Sequence, residues 1–317
     1  MTPPVRAVPW WPVLRWVVFA ALTFAAGEAG RATYHEASGI NLIAPVYGVS
    51  ALWLATSTRR SLPWDLAGIA GATGLAVVLT GGDVLMVSVA ALLGVATPFV
   101  WRLLFVQLAP GVWGAGGDRP ISRLTHLVGF LTACTAAGTL AAALRGTGMF
   151  LLPPLSFEEL FLTVIRNVSW ILAITGLGLL ALPHPDLGIR AWWAEIENKP
   201  LRLVETVLVV LSVATLAVTS FSPDPPPYAF PLVLGAVWAA FRLPAAAAML
   251  LAVLVGTFAV LATLDGLGPF ALASAYESAA ISEAFVVTLV LTTLAISFSW
   301  DERREATLRA QEAGAAV

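Results

Sequence analysis

The sequence is short of charge. Asp, Glu, Lys and Arg make up 11% of its 317 residues, less than half of the roughly 25% usual in a soluble domain. A soluble chain of this length could not cover its surface with so few charges. Hydrophobic residues account for 59% of the chain and the mean hydropathy is +0.87, so lipid is its natural solvent. The single cysteine, Cys134, lies in an apolar stretch, which excludes an intrachain disulfide or a thiolate metal cluster. The three histidines, His35, His126 and His184, are far apart and show no ligand spacing, so the pattern points to no metal and no cofactor. A net charge of −2 without a basic patch argues against nucleic acid as a partner. No nucleophile–base pairing is visible, and the chain is not read as an enzyme.

What the sequence does have is a series of long apolar runs. A membrane-crossing helix needs about 20 mostly apolar residues. On that basis the pattern predicts helices near 10–30, 40–57, 64–80, 83–108, 121–144, 157–182, 201–220, 227–242, 244–264 and 275–300. The first run carries Arg15 within it and is followed by further spans, which reads as an uncleaved helix and not a signal peptide. Phe241-Arg242-Leu243-Pro244 leaves almost no loop between the eighth and ninth runs, so eight spans is the alternative to ten. The expected fold is an all-α polytopic transmembrane bundle.

Direction follows from the positive-inside rule. Of the 17 Lys+Arg residues, 14 fall on the side of the N-terminus, from Arg6 and Arg15 through Arg102 and Arg242 to Arg303 and Arg309. Only Arg31 and Arg145 fall on the other side, and Arg166 sits inside the sixth run. With eight or ten spans both termini share the arginine-rich side, which is expected to be cytoplasmic. The inner loop 183–200 carries Trp192 and Trp193 and reads as an amphipathic interfacial segment. The outer segment 222–227 is rich in proline. No loop is long enough for a soluble domain.

A weak internal repeat is also present. Pro45, Gly48 and Trp53, then Arg59-Arg60 and Pro63, precede a Gly/Ala-rich run ending at Gly81-Gly82-Asp83. Pro231, Gly235 and Trp238, then Arg242 and Pro244, precede a second Ala-rich run ending at Asp265-Gly266-Leu267-Gly268. Both hairpins start outside, so the repeat would be parallel, with two bundles meeting at a cleft. The alternative is that membrane hairpins converge on Pro, Trp and Arg independently.

Ionisable groups inside a bilayer cost a few kcal/mol each, on the order of 3 kcal/mol on insertion scales, and mark candidate sites. Arg166 leads, with Asn167 beside it as a cross-helix hydrogen-bonding group. Either Arg166 locks the bundle by pairing with a carboxylate or carbonyl, or it binds an anionic ligand. Its expected partners are Glu283 and Glu277 on the last helix and Asp83 at the outer end of the fourth. Glu277 and Glu283 are six residues apart, which at about 100° per residue puts them on different faces. Glu283 is the deeper. Acidic residues crowd the outer half, and the surplus is expected to attract a cation or proton there. Glu205 is expected to pair locally with Arg202.

Several of these stretches resemble a known family. Ala44-Pro45-Val46-Tyr47-Gly48-Val49-Ser50-Ala51-Leu52-Trp53 resembles the P-x-x-G opening helix of the first type of membrane-associated sensor (MASE) domain. The Arg59–Pro63 turn and a Gly-rich third helix follow in the family's order. The helix from Pro231 to Arg242 is similar to a second family helix, and Gly266-Leu267-Gly268-Pro269-Phe270 is similar to its Gly-x-Gly-Pro-Phe outer loop. The exit Trp300-Asp301-Glu302-Arg303-Arg304-Glu305 matches the family's charged linker. Where many members carry an acidic patch on the sixth helix, this chain has Arg166-Asn167-Val168-Ser169-Trp170.

The resemblance implies a bacterial inner-membrane sensory domain over 1–300 and a cytoplasmic helical linker over 301–317. It further implies an output histidine kinase, diguanylate cyclase or cyclic-di-GMP phosphodiesterase as partner, with an undefined small-molecule or ionic signal. No Gly-Gly-Asp-Glu-Phe or Glu-Ala-Leu signature occurs in this chain. A homodimer is compatible with that role, although the tail's apolar heptad, with Leu308 nearly alone, does not by itself supply a dimer seam. A secondary transporter is the alternative reading.

The orientation is directly measurable. Fused at the C-terminus in a bacterial host, a green fluorescent protein is expected to fluoresce and alkaline phosphatase to stay inactive. The opposite result would reverse the inner and outer faces.

Overall fold

The computed structural model describes residues 10–35, 40–146, 154–182, 200–222 and 230–315. Nearly all of the inner loop 183–200 (all but residue 200) and most of the proline-rich segment 222–227 lie outside the described residues. The fold is an all-α bundle, as the apolar runs predict. Among the described residues the helices, in chain order, are α1 (Trp10–Arg31), α2 (Pro45–Ala55), α3 (Leu62–Leu79), α4 (Val84–Leu108), α5 (Leu124–Gly146), α6 (Phe157–Ala181), α7 (Pro200–Ser220), α8 (Phe230–Arg242), α9 (Ala245–Leu264) and α10 (Ala275–Ala315). Eight of these are long and apolar enough to cross a membrane, and α2 and α8 are shorter. The chain is a multi-pass membrane protein.

Side-chain contacts sort the helix ends into two faces. Arg15 near the start of α1 pairs with Asp65 at the start of α3. Arg102 near the end of α4 donates to the Leu54 and Ser57 carbonyls at the end of α2, a favourable place for a cation because helix C-termini carry partial negative charge. Glu302 on α10 accepts from the Leu124 N–H that opens α5, at 3.0 Å. Arg242 closing α8 reaches Glu205 near the start of α7 at 3.0 Å. So Glu205 joins two helices besides any contact with its neighbour. This face carries most of the arginines and is called inner below. On the opposite, outer face, Arg31 at the end of α1 donates to Thr80 at the end of α3 (2.9 Å).

The second predicted span, 40–57, departs from the expectation. Only 45–55 is helical. Residues 40–44 are not helical, and Ile40–Asn41 (β2) pairs antiparallel with Tyr34–His35 (β1). Pro45 is the cause: the ring restricts the preceding residue to non-helical backbone, and Ala44 lies at φ −143°, ψ 56°. A helix of 11 residues rises only about 16 Å, against a hydrocarbon thickness of about 30 Å. The N-terminus of α2 therefore sits near mid-membrane. The expected unbroken span fails here for one residue's stereochemistry, and α8, with 13 residues, is short in the same position.

The parallel repeat has structural support. α1–α4 and α7–α10 each comprise a long helix, a short one, and two long ones, with the α5–α6 hairpin between them. α2 packs on α4 as α8 packs on α10. The third helix of each set ends identically. Gly81 and Gly266 both have φ +79°. The following N–H groups, of Gly82 and Leu267, bond back to the Val77 and Ala262 carbonyls at 2.9 and 2.8 Å, the Schellman termination that only glycine adopts without strain.

The core centres on Trp101, Phe105 and Phe130 from α4 and α5, fully buried with ring centroids 5.1 to 6.2 Å apart. Large apolar side chains of α1 and α7, such as Leu22, Leu208 and Leu211, are exposed and face lipid. Glycine permits the closest helix approach: a Cβ at Gly48 of α2 would run into the Trp170 carbonyl of α6. Gly48→Ala is expected to cost about 1–3 kcal/mol in thermal or denaturant unfolding in detergent. Gly71→Ala, with nothing within 4 Å of the new methyl group, should be neutral or slightly stabilising. Equal behaviour of the two variants would remove this contact from the account.

Candidate functional site

α6 opens at the outer face with a capping box. Ser156 Oγ accepts from the Glu159 N–H (3.3 Å), and Glu159 Oε2 accepts from the Ser156 N–H (2.7 Å). From Phe157 to Arg166 the helix descends about 14 Å, so Arg166 lies close to mid-membrane. Arg166, Asn167, Val168, Ser169 and Trp170 are all buried. The helix then widens to a π-helical turn over Ile171–Thr175. Such turns are rare and recur at functional sites. Here the Thr175 hydroxyl donates to the Gly48 carbonyl of α2 at 3.1 Å, and the Trp170 carbonyl lies against Gly48 itself. The irregular turn and the broken second span are packed together.

Arg166 binds the extended segment. Its Nη1 donates to the Asn41 carbonyl and its Nε to Asn167 Oδ1 at 3.3 Å. Both acceptors are neutral. Glu283, fully buried on α10, accepts from the Ser169 hydroxyl and, at 2.7 Å, from Trp170 Nε1. Arg166 and Glu283 interact electrostatically, but among the described residues they form no direct ion pair. The expectation of a direct Arg166–Glu283 bridge is thus replaced by a relay on adjacent residues of α6: Arg166 holds the broken span, and Ser169 and Trp170 hold α10.

Next to this junction lies a cavity of about 500 Å³. Arg31, Tyr34, Arg145 and Glu159 line it toward the outer face, and Ala44, Val46, Tyr47, Arg166 and Asn167 line it at depth. Val77, Met86, Val89 and Leu93 of α3 and α4 form an apolar wall. The Arg31 guanidinium stacks over Tyr34, 4.6 Å from its ring centroid. Asn167 is fully buried, and among the described residues its Nδ2 has no hydrogen-bond partner.

Of the residues singled out from sequence, Arg166, Asn167 and Glu283 come together. Asp83 and Glu277 do not join them. Asp83 is the exposed N-cap of α4, accepting from the Met86 N–H at 2.7 Å, a local role for which aspartate is well suited. Glu277 is exposed in the first turn of α10. The expected attraction of the outer side for cations is also corrected at the cavity. Among the described residues its lining holds three arginines against Glu159, the sole acidic side chain there.

Sequence reasoning missed Asn41, Tyr47 and Arg145 as cavity residues. Arg145 was counted as an ordinary outer-face charge, yet it is 8% exposed. It also missed Asp65. This carboxylate is fully buried, with Arg15 Nη2 at 2.7 and 2.8 Å from its two oxygens and Trp53 Nε1 at 3.0 Å. In sequence Asp65 looks like an ordinary acid in a first helical turn, so nothing marked it.

Glu283 is the bond between α6 and α10, which gives a stability ranking. Glu283→Ala leaves the Ser169 hydroxyl and Trp170 N–H buried without their acceptor, at about 1–3 kcal/mol each. Glu283→Gln keeps one acceptor oxygen and should lose less. Unfolding midpoints in detergent are expected to fall in the order wild type, Glu283→Gln, Glu283→Ala; an alanine variant as stable as wild type would contradict the bond.

No family model, curated protein or solved structure matches this chain.

Proposed function

We propose that this chain is a sensory input domain of the bacterial inner membrane. In this reading the outer cavity receives a signal and α10 carries it to a cytoplasmic kinase, cyclase or phosphodiesterase. The observation that carries the reading is the continuity of α10. It runs unbroken for 41 residues, from Ala275 to Ala315, a rod of about 60 Å. Glu283 ties its outer half to α6 beside Arg166. Its inner part passes Trp300 without a break and meets the start of α5 through Glu302. A shift at the Ser169–Trp170–Glu283 junction therefore has a rigid path out of the membrane, and helix displacements of about 1–2 Å are the scale of such switching. The resemblance to the MASE family supports the same role.

One observation favours a second reading, a secondary transporter. Short helices at corresponding positions of two repeats, here α2 and α8, are a mark of transporter binding sites.

The two readings separate in one pair of experiments. With α10 joined in register to a diguanylate cyclase reporter, Glu283→Gln should change output about tenfold, within the range typical of allosteric coupling. Proteoliposomes holding the chain should show no solute uptake or release above empty vesicles. Unchanged output together with saturable flux would replace the sensory reading by the transporter.

A further inference from the structure

We propose that the outer cavity is a binding site for an anionic amphiphile. Its carboxylate or phosphate is held by Arg166, Asn167 and the N-terminus of α2, and its apolar part lies along α3 and α4. This deepens the sensory reading by naming the class of signal, and it rests on that reading only for its biological consequence.

The first ground is the state of Arg166. It is 6% exposed, and among the described residues its direct acceptors are the neutral Asn41 carbonyl and the Asn167 amide oxygen. A guanidinium carries further N–H donors beyond the Nε and Nη1 used here. A buried charge with only neutral contacts is incompletely compensated. Glu283 acts on it from a distance, with both carboxylate oxygens already engaged by Ser169 and Trp170.

The second ground is independent of charge. Asn167 lines the cavity, and its Nδ2 is a fully buried donor with no acceptor among the described residues. Nearly all buried polar side-chain atoms have a partner, so an acceptor atom belongs here. The third is the backbone. α2 begins at the cavity, where Ala44, Val46 and Tyr47 form part of the lining, and Ala44 offers no side-chain cap. Pro45 has no N–H and the Tyr47 N–H bonds the Ala44 carbonyl at 3.3 Å, so the Val46 N–H is the first-turn donor that remains, at a helix end that favours an anion. A donor amide, a guanidinium and a helix start thus converge on one place, a set that suits an oxyanion and repels a cation.

The remaining lining determines the rest of the ligand. Arg31 and Arg145 make the outer part of the cavity cationic as well, which steers an anion inward. Glu159, the one acidic lining residue among those described, already accepts from the Ser156 N–H. The Val77, Met86, Val89 and Leu93 wall has no use for a fully polar ion, whereas it fits an alkyl or aryl portion. A volume of about 500 Å³ falls within the usual range for small-molecule sites, roughly 300–1,000 Å³. The same chemistry is presented by a free organic acid and by the headgroup and upper chain of an anionic lipid.

The test uses the full chain in nanodiscs, with unfolding temperature and tryptophan fluorescence as readouts. In phosphatidylcholine discs, octanoate should stabilise the chain saturably, while octanol and octyltrimethylammonium at equal concentrations should not. Arg166→Gln also disturbs the Asn41 contact, so the decisive variant is Asn167→Asp. It keeps an acceptor for Arg166 while replacing the free donor with a carboxylate, and octanoate affinity should fall at least about tenfold, the scale of a charge-assisted hydrogen bond. Discs containing phosphatidylglycerol distinguish the source. Stabilisation by the lipid alone, with octanoate adding little, identifies an anionic headgroup, whereas stabilisation by octanoate over either lipid identifies a soluble acid. Equal effects of octanoate and octanol, an unaffected Asn167→Asp variant, or no effect of either anion would overturn the site. Anion binding that leaves the cyclase reporter unchanged would retain the site and refute the sensory reading instead.

Discussion

A short stretch of non-helical backbone inside the membrane is the constraint on which the rest of the structure depends. Residues 40–44 lead into α2 without helical hydrogen bonds, and in lipid each unpaired backbone group costs several kcal/mol, on the order of 4. The chain answers group by group. The Leu42 N–H bonds the Thr33 carbonyl at 3.1 Å, the Ile43 N–H bonds the Thr33 hydroxyl at 3.1 Å, and the Asn41 carbonyl takes the Arg166 guanidinium. Gly30 leaves room for the Ile43 carbonyl and the Asn41 side chain to approach α1. Irregular backbone at this depth survives only where protein or a cavity surrounds it, and here both do.

That arrangement explains why the polar residues of α6 are clustered. One arginine must reach the broken span while its neighbours hold α10. Four buried positions, Arg166, Asn167, Ser169 and Trp170, connect α2, the cavity and α10 within little more than one turn. The π turn that follows lets α6 stay in contact with α2 after the junction, with Thr175 on the Gly48 carbonyl. At the inner face a second charged cluster, Arg15–Asp65–Trp53, joins α1, α2 and α3. Buried pairs of this kind add little net stability but are strongly destabilising when one partner is removed. They specify which helices meet.

The two halves of the molecule have diverged in use. α2 and α8 occupy equivalent places, and α3 and α9 end in the same glycine turn. The described cavity is nevertheless lined by α1 and α3–α6 together with the segment opening α2, while α8 and α9 pack with α7 and α10 into an apolar cluster containing Val213, Leu232, Ala252 and Leu289. The first repeat lines the cavity together with the α5–α6 hairpin. The other contributes the rod, α10, that leaves the membrane.

Fold class, the number of apolar runs and most helix limits were legible in the sequence, because a lipid-facing helix announces itself through some 20 apolar residues. Arg166, Asn167 and Glu283 were legible as candidates for the related reason that polar groups are costly there. Their partners were not. Residues such as Asn41, Tyr47 and Arg145 carry no local signal, since they acquire their roles only when α1, α5 and α6 enclose them. The same holds for Asp65, an ordinary first-turn acid until α1 brings Arg15 against it. Asp83 erred in the other direction: at the outer end of the fourth helix it was expected as a partner of Arg166, and local backbone geometry made it a cap. Solvent preference is a property of each residue and can be read along the chain. Which donor meets which acceptor depends on helix rotation and depth, and those are decided only when the bundle packs.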